Sequence, residues 1–226
     1  AQIETQLADF KAHGIGGVFI HPRPGLITPY LSEEWFELCR HAVSTAKGLG
    51  LKAWIYDENS YPSGFAGGHV PAQMPDSIGL GLRLTKAAAL PPSFPEAPLA
   101  VMRRSSDGFE DITSRALEPG APATLGPGDY YIFDIRKADP SPWYGGFTYV
   151  DVMRRDVTEK FLDVTLNAYK RAVGSEFGVT VPGSFQDEAH LAPVSGDGIV
   201  NYSAGLLDAF RKNRGYDLKP QLPSLY

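Results

Sequence analysis

The 226-residue chain holds 26 acidic and 21 basic side chains, a formal charge of −5, and one cysteine. Lacking a basic cluster, it lacks the electrostatic footprint of nucleic-acid binding, and Cys39 alone excludes an intrachain disulfide and a cysteine-based zinc site. No stretch approaches the roughly 18 apolar residues of a membrane span.

The N-terminus shows no basic region followed by an apolar core. The protein is therefore expected to be cytoplasmic, or secreted or periplasmic if a signal segment precedes this chain. Both ends look cut, so a piece of a longer protein is the expectation. Twenty-four glycines and 19 prolines predict long loops.

In chain order, Ile3, Leu7 and Phe10 fall at helical spacing, and Gly14 stands where a left-handed cap would end that helix. Gly17-Val18-Phe19-Ile20 then reads as a short buried strand. Pro22, Pro24, Gly25 and Pro29 predict a loop over 21–31. Ser32 can cap a following helix whose first turn carries Glu33 and Glu34 and whose apolar face holds Trp35, Leu38, Cys39, Ala42, Val43 and Ala46. On that stripe Cys39 is expected to be buried and inert. Gly48 and Gly50 end the helix, and residues 51–56 read as the next strand.

Residues 78–146 break this rhythm with short β-like runs such as 99–102 and 130–135, which predicts a β-rich insertion. Met153, Val157, Phe161, Val164 and Ala168 then place one apolar stripe on a single helix of about six turns, over 151–173. Residues 179–185 read as a strand and a last helix starts near Ser203. The expected division is 1–77 and 147–226 as two stretches of one α/β body, with the insertion between them.

Strands alternating with helices predict parallel pairing with right-handed crossovers, in a doubly wound sheet or a (β/α) barrel. No strand is followed by a Gly-x-Gly-x-x-Gly turn or a phosphate loop. The barrel is the favoured fold class: a partial (β/α)8 TIM-type barrel, under half of the eight strands, with a β-rich insertion.

Three predicted strands run into polar residues: His21 and Arg23, Asp57 and Glu58, and Asp187, Glu188 and His190. In a barrel these ends share the rim where active sites lie. Two carboxyls flanking a glycosidic bond, one protonated and one ionised, are what its hydrolysis needs. The competing reading is structural, since an Asp or Glu after a strand also caps the next helix or pairs with a base. Tyr61 and Trp54 offer rings for a sugar face. No His-x-x-x-His or Glu-x-x-His spacing occurs, which leaves open only an oxygen-ligand cation such as Ca2+ on these carboxylates.

Gly14-Ile15-Gly16-Gly17-Val18, Tyr30 through Trp35, Trp54-Ile55-Tyr56-Asp57-Glu58 and Tyr61-Pro62-Ser63-Gly64-Phe65-Ala66-Gly67-Gly68 resemble α-L-rhamnosidases of glycoside hydrolase family 106 and related barrel glycosidases. Later segments are similar in the same order: Tyr149-Val150-Asp151-Val152, Phe185-Gln186-Asp187-Glu188, and Phe210 through Gly215-Tyr216-Asp217-Leu218 to Leu222-Pro223. The resemblance implies that these are about strands 2–4 of a barrel, with Glu188 ending the fourth, and that hydrolysis inverts the anomeric centre. It implies Glu188 as general acid; joined to the strand-end reading, this makes Glu58 or Asp57 the expected base or cation ligand and places His21, Arg23, Tyr61, Asp187 and His190 around a glycoside or oligosaccharide. The remainder of the barrel would then be an obligatory partner, and the 226-residue chain alone is expected to be inactive. Asn59-Ser60-Tyr61 after Glu58, and Ala189 after Glu188, depart from the family's pattern and leave the sugar open. The other readings are a non-catalytic carbohydrate-binding barrel fragment and a barrel glycosidase for another sugar.

Overall fold

The computed structural model describes residues 1–23 and 25–226. In chain order the elements are α1 (Gln2–Ala12), β1 (Gly17–Ile20), α2 (Glu33–Leu49), β2 (Lys52–Tyr56), α3 (His69–Gln73), β3 (Leu80–Ala87), β4 (Ala100–Ser105), β5 (Gly108–Asp111), α4 (Thr113–Ala116), α5 (Ala121–Leu125), β6 (Tyr130–Lys137), α6 (Arg155–Val164), α7 (Leu166–Val173), β7 (Ser184–Phe185), β8 (Ile199–Tyr202) and α8 (Leu206–Arg214). Two compact units result, one of Ala1–Ile78 with Asp139–His190 and one of Gly79–Ala138 with Leu191–Tyr226. No helix among the described residues is long and apolar enough to cross a membrane.

In the first unit β1, β2 and β7 form a parallel sheet in that order. Gly14, at φ +78°, turns the chain out of α1, and Ser32 Oγ accepts the Trp35 N–H at 3.2 Å to start α2. The described residues of the loop expected over 21–31 form no helix or strand, and its Pro24 lies outside the described residues.

One face of the sheet presents Val18, Ile20, Ala53 and Ile55 to a core shared with Trp35, Phe36, Cys39, Val43, Tyr169 and Val173 from α2 and α7. Trp35 Nε1 donates to Tyr169 Oη at 3.0 Å inside it. Cys39 is 1% exposed, and burial pushes its thiol up to about 12, so it is a buried, unreactive thiol.

The opposite face is aromatic and bare. Phe19 pairs with Trp54 across the β1–β2 ladder and packs edge-on against Phe185, yet Phe19 remains 53% and Phe185 46% exposed.

Two expected elements differ. The strand expected over 179–185 keeps ladder pairing only at Ser184–Phe185, although the carbonyls of Thr180 and Gly183 still accept N–H groups from β2. Pro182 has no N–H to give and Gly183 adds no side chain to hold the ladder. The single helix expected over 151–173 is two, broken at the fully buried Thr165 (φ −104°, ψ −87°). Its hydroxyl donates to the Phe161 carbonyl at 2.6 Å, the local side-chain bond that competes with a continuing helix.

The second unit is a five-stranded antiparallel sheet in the order β5-β4-β6-β3-β8. One face covers Leu90, Val101, Ile112, Ala116 and Ile132, beside α4 and α5. The other buries Leu82, Met102 and Phe133 under Leu206, Leu207 and Phe210 of α8.

This corrects the division of the chain. Residues 191–226 belong with the β-rich residues rather than with the stretch that begins at 147. The cause is pairing: Tyr202 sits opposite Leu80 and Ile199 opposite Arg83, so β8 closes the edge of a sheet begun more than a hundred residues earlier.

Candidate functional site

The C-terminal ends of the three parallel strands bring His21, Tyr56 and Phe185 into one aromatic stack. The His21 ring lies 3.6 Å from that of Tyr56 at 11°, and Tyr56 lies 5.2 Å from Phe185 at 26°. Tyr56 Oη donates a short hydrogen bond to Asp187 Oδ2, while Oδ1 accepts the Glu188 N–H at 2.9 Å. The Tyr56 hydroxyl, then that N–H, then Arg23 and His21, hold Asp187 below the usual carboxylate range. Burial and the neighbouring Arg23 charge lower His21 from its ordinary value, and Asp187 opposes them. The rim therefore pairs an ionised Asp187 with the exposed guanidinium of Arg23 and an imidazole held toward its neutral form.

Glu188 is exposed and accepts the Tyr61 hydroxyl on Oε2 at 2.7 Å. Tyr61, 40% exposed, is itself held by its loop, whose carbonyl at that residue accepts Trp143 Nε1 at 2.5 Å. His190 donates its backbone N–H to Tyr149 Oη at 3.1 Å, and its ring stands 6.3 Å from that of Tyr149.

Two of the expected catalytic carboxyls, Asp57 and Glu58, lie buried behind this rim rather than open to it. Glu58 is 0% exposed. Its Oε1 accepts the N–H groups of Asn59 (3.0 Å) and Gly67 (2.5 Å), and its Oε2 those of Ala66 (2.6 Å) and Gly64 (3.3 Å). Burial pushes the carboxyl up to about 7 against these four donors. Every lone pair a base would use is occupied, so Glu58 is the staple of loop 59–67.

Asp57 is 3% exposed, and its Oδ1 accepts the Ser63 hydroxyl at 2.7 Å. Tyr30 Oη holds its backbone carbonyl at 3.0 Å. Burial pushes the Asp57 carboxyl up to about 6, with Ser63 opposing and the Asp187 charge adding. It anchors the site from behind and does not meet a solvent-borne substrate.

Ser63, Tyr56 and Tyr149 hold these carboxyls and their loop in place, and the strand-end reading did not single them out. Ser63 Oγ accepts the Asp187 N–H at 3.0 Å while donating to Asp57, and Tyr149 Oη donates to the Ser63 carbonyl at 2.7 Å. The signal for them was the glycine density after Ser63. Gly64 sits at φ +136°, where a Cβ would meet Tyr149 Oη at 2.9 Å, and Gly67 at φ +59°, where one would meet Asn59 Oδ1 at 2.6 Å. Amides turned inward at such positions need an acceptor, and Glu58 is it.

Among the described residues, no three His, Cys, Asp or Glu side chains form a group that could hold a metal ion. Of the carboxylates expected to offer Ca2+ a site, Asp57 and Glu58 already accept hydrogen bonds from Ser63 and from four backbone N–H groups. Chemically, the rim offers one solvent-exposed carboxyl, one ionised carboxylate, a guanidinium, an imidazole and a phenol beside an open aromatic face. Comparison with protein-family models, with curated proteins and with solved structures finds no match to this chain.

Proposed function

We propose that this chain is part of a barrel glycoside hydrolase of the α-L-rhamnosidase type, with Glu188 as its general acid. The observation that carries the reading is the placement of Glu188: an exposed carboxyl at the end of a parallel strand, oriented by Tyr61 and adjacent to the ionised Asp187. A general acid needs that access, and ionised Asp187 with Arg23 suits the hydroxyls of a sugar.

The bare aromatic face supports the barrel. Parallel sheets are covered on both faces, and a barrel interior is a packed core. The further parallel strands of such a barrel would cover Phe19, Trp54 and Phe185 and bring the second carboxylate, the base of an inverting reaction, to the rim. His21, Arg23, Tyr61, Asp187 and His190 would surround the glycoside, with Asp57 and Glu58 holding the frame.

The burial of Asp57 and Glu58 favours a second reading, a carbohydrate-binding fragment without catalysis, because only Asp187 and Glu188 of the four expected acids reach solvent. The two are separated by incubating the full-length protein that carries this chain with p-nitrophenyl α-L-rhamnoside and following the products by proton NMR. Hydrolysis that first releases the inverted sugar supports the catalytic reading. Saturable binding without hydrolysis overturns it in favour of the second, and neither binding nor hydrolysis overturns both for this sugar.

A further inference from the structure

Away from the strand ends, α2, α3, α6 and α7 line an open pocket of about 620 Å3 in the first unit. That volume lies within the range of small-molecule sites, roughly 300–1,000 Å3. Its floor is apolar, with Phe36 and Ala168 buried at 8% exposure each and Val164 partly buried beside them.

The walls are polar, and most of their groups have partners. Glu33 and Arg40, both on α2, form an ion pair with each other. Asp163 accepts Asn167 Nδ2 at 3.5 Å. His69 Nε2 lies 3.1 Å from the Tyr30 carbonyl, which can only accept, so that nitrogen carries the hydrogen. Arg171 on α7 and Gln73 on α3 are different. Neither side chain makes a hydrogen bond or ion pair among the described residues, and both line the pocket.

We propose that this pocket binds a small organic oxyanion with an apolar body, its carboxylate or phosphate head held by Arg171 and Gln73. Arg171 supplies a planar fork of donors that matches either head bidentately, and the Gln73 amide adds a neutral donor. The lining sets two acids, Glu33 and Asp163, against Arg40 and Arg171; Glu33 and Arg40 pair with each other, and Arg171 is the wall cation without an ion-pair partner among the described residues. The floor has no polar group to satisfy and takes a ring or short chain.

The test titrates the 226-residue chain with benzoate, phenyl phosphate, inorganic phosphate and benzyl alcohol, reading backbone amide shifts of Gln73, Ala168 and Arg171 by NMR. At least one aromatic anion should give saturable shifts at all three positions, and both inorganic phosphate and benzyl alcohol should bind at least about tenfold more weakly. Arg171→Gln, an exposed helix position, should weaken the anion about tenfold, the worth of one charge-assisted hydrogen bond. If one aromatic anion binds and the other does not, the head group is named and the proposal stands. Absence of saturable shifts at these amides, equal binding of benzyl alcohol or inorganic phosphate, or unchanged affinity in Arg171→Gln would each overturn it.

Discussion

Asp57 and Asp187 share one hydroxyl: Ser63 Oγ donates to Asp57 Oδ1 at 2.7 Å and accepts the Asp187 N–H at 3.0 Å. Ser63 is 0% exposed, so no water replaces it. Ser63→Ala leaves a buried acceptor and a partly buried donor unmatched. The variant should lose about 1–3 kcal/mol of unfolding free energy in urea. A loss below about 0.5 kcal/mol would mean that the link contributes nothing net.

The staple role of Glu58 separates stability from chemistry. Glu58→Ala deprives four backbone N–H groups of their acceptor and should cost about 3–5 kcal/mol, with faster hydrogen exchange at Gly64, Ala66 and Gly67. A base at the rim would behave in the opposite way, with activity lost and stability kept.

Asp57 gives a pH signature. Its folded value of about 6 lies above the ordinary 3.8, so between those values the folded state holds a proton that the unfolded chain has released. Its contribution is fully present below about pH 4 and is lost as pH rises through about 6, on the order of 3 kcal/mol in all. Asp57→Asn keeps an acceptor for Ser63 and removes the titration. The unfolding free energy of the variant minus that of the wild type should therefore rise from pH 4 to 6 and level off above. A difference that stays flat or falls across this window would refute the burial account.

The parallel strands are legible in the sequence because each is a short apolar or aromatic run that gives way to polar residues. Local pattern does not reveal which way a charged pair turns. Asp57-Glu58 and Asp187-Glu188 are the same dipeptide after the same kind of strand. The first is followed by a loop whose glycines turn amides inward and draw Glu58 into burial, while Ala189 and His190 offer no such amides and leave Glu188 in solvent. The membership of β8 is illegible for another reason. Ile199-Val200-Asn201-Tyr202 is an ordinary run, and its partner is chosen by a sheet distant in sequence. The break at Thr165 is likewise hidden, because the apolar stripe of α6 continues in step through α7.

The most direct measurement compares leaving groups in the full-length protein that carries this chain. If Glu188 donates the proton to the departing oxygen, Glu188→Gln should slow an alkyl α-L-rhamnoside by about 10²–10⁴-fold, roughly 3–5 kcal/mol of barrier. The same variant should slow an aryl rhamnoside with a low-pKa leaving group far less, with KM little changed, because that oxygen departs without help. Equal losses on both substrates, or wild-type rates on both, would contradict the assignment of Glu188 as the acid.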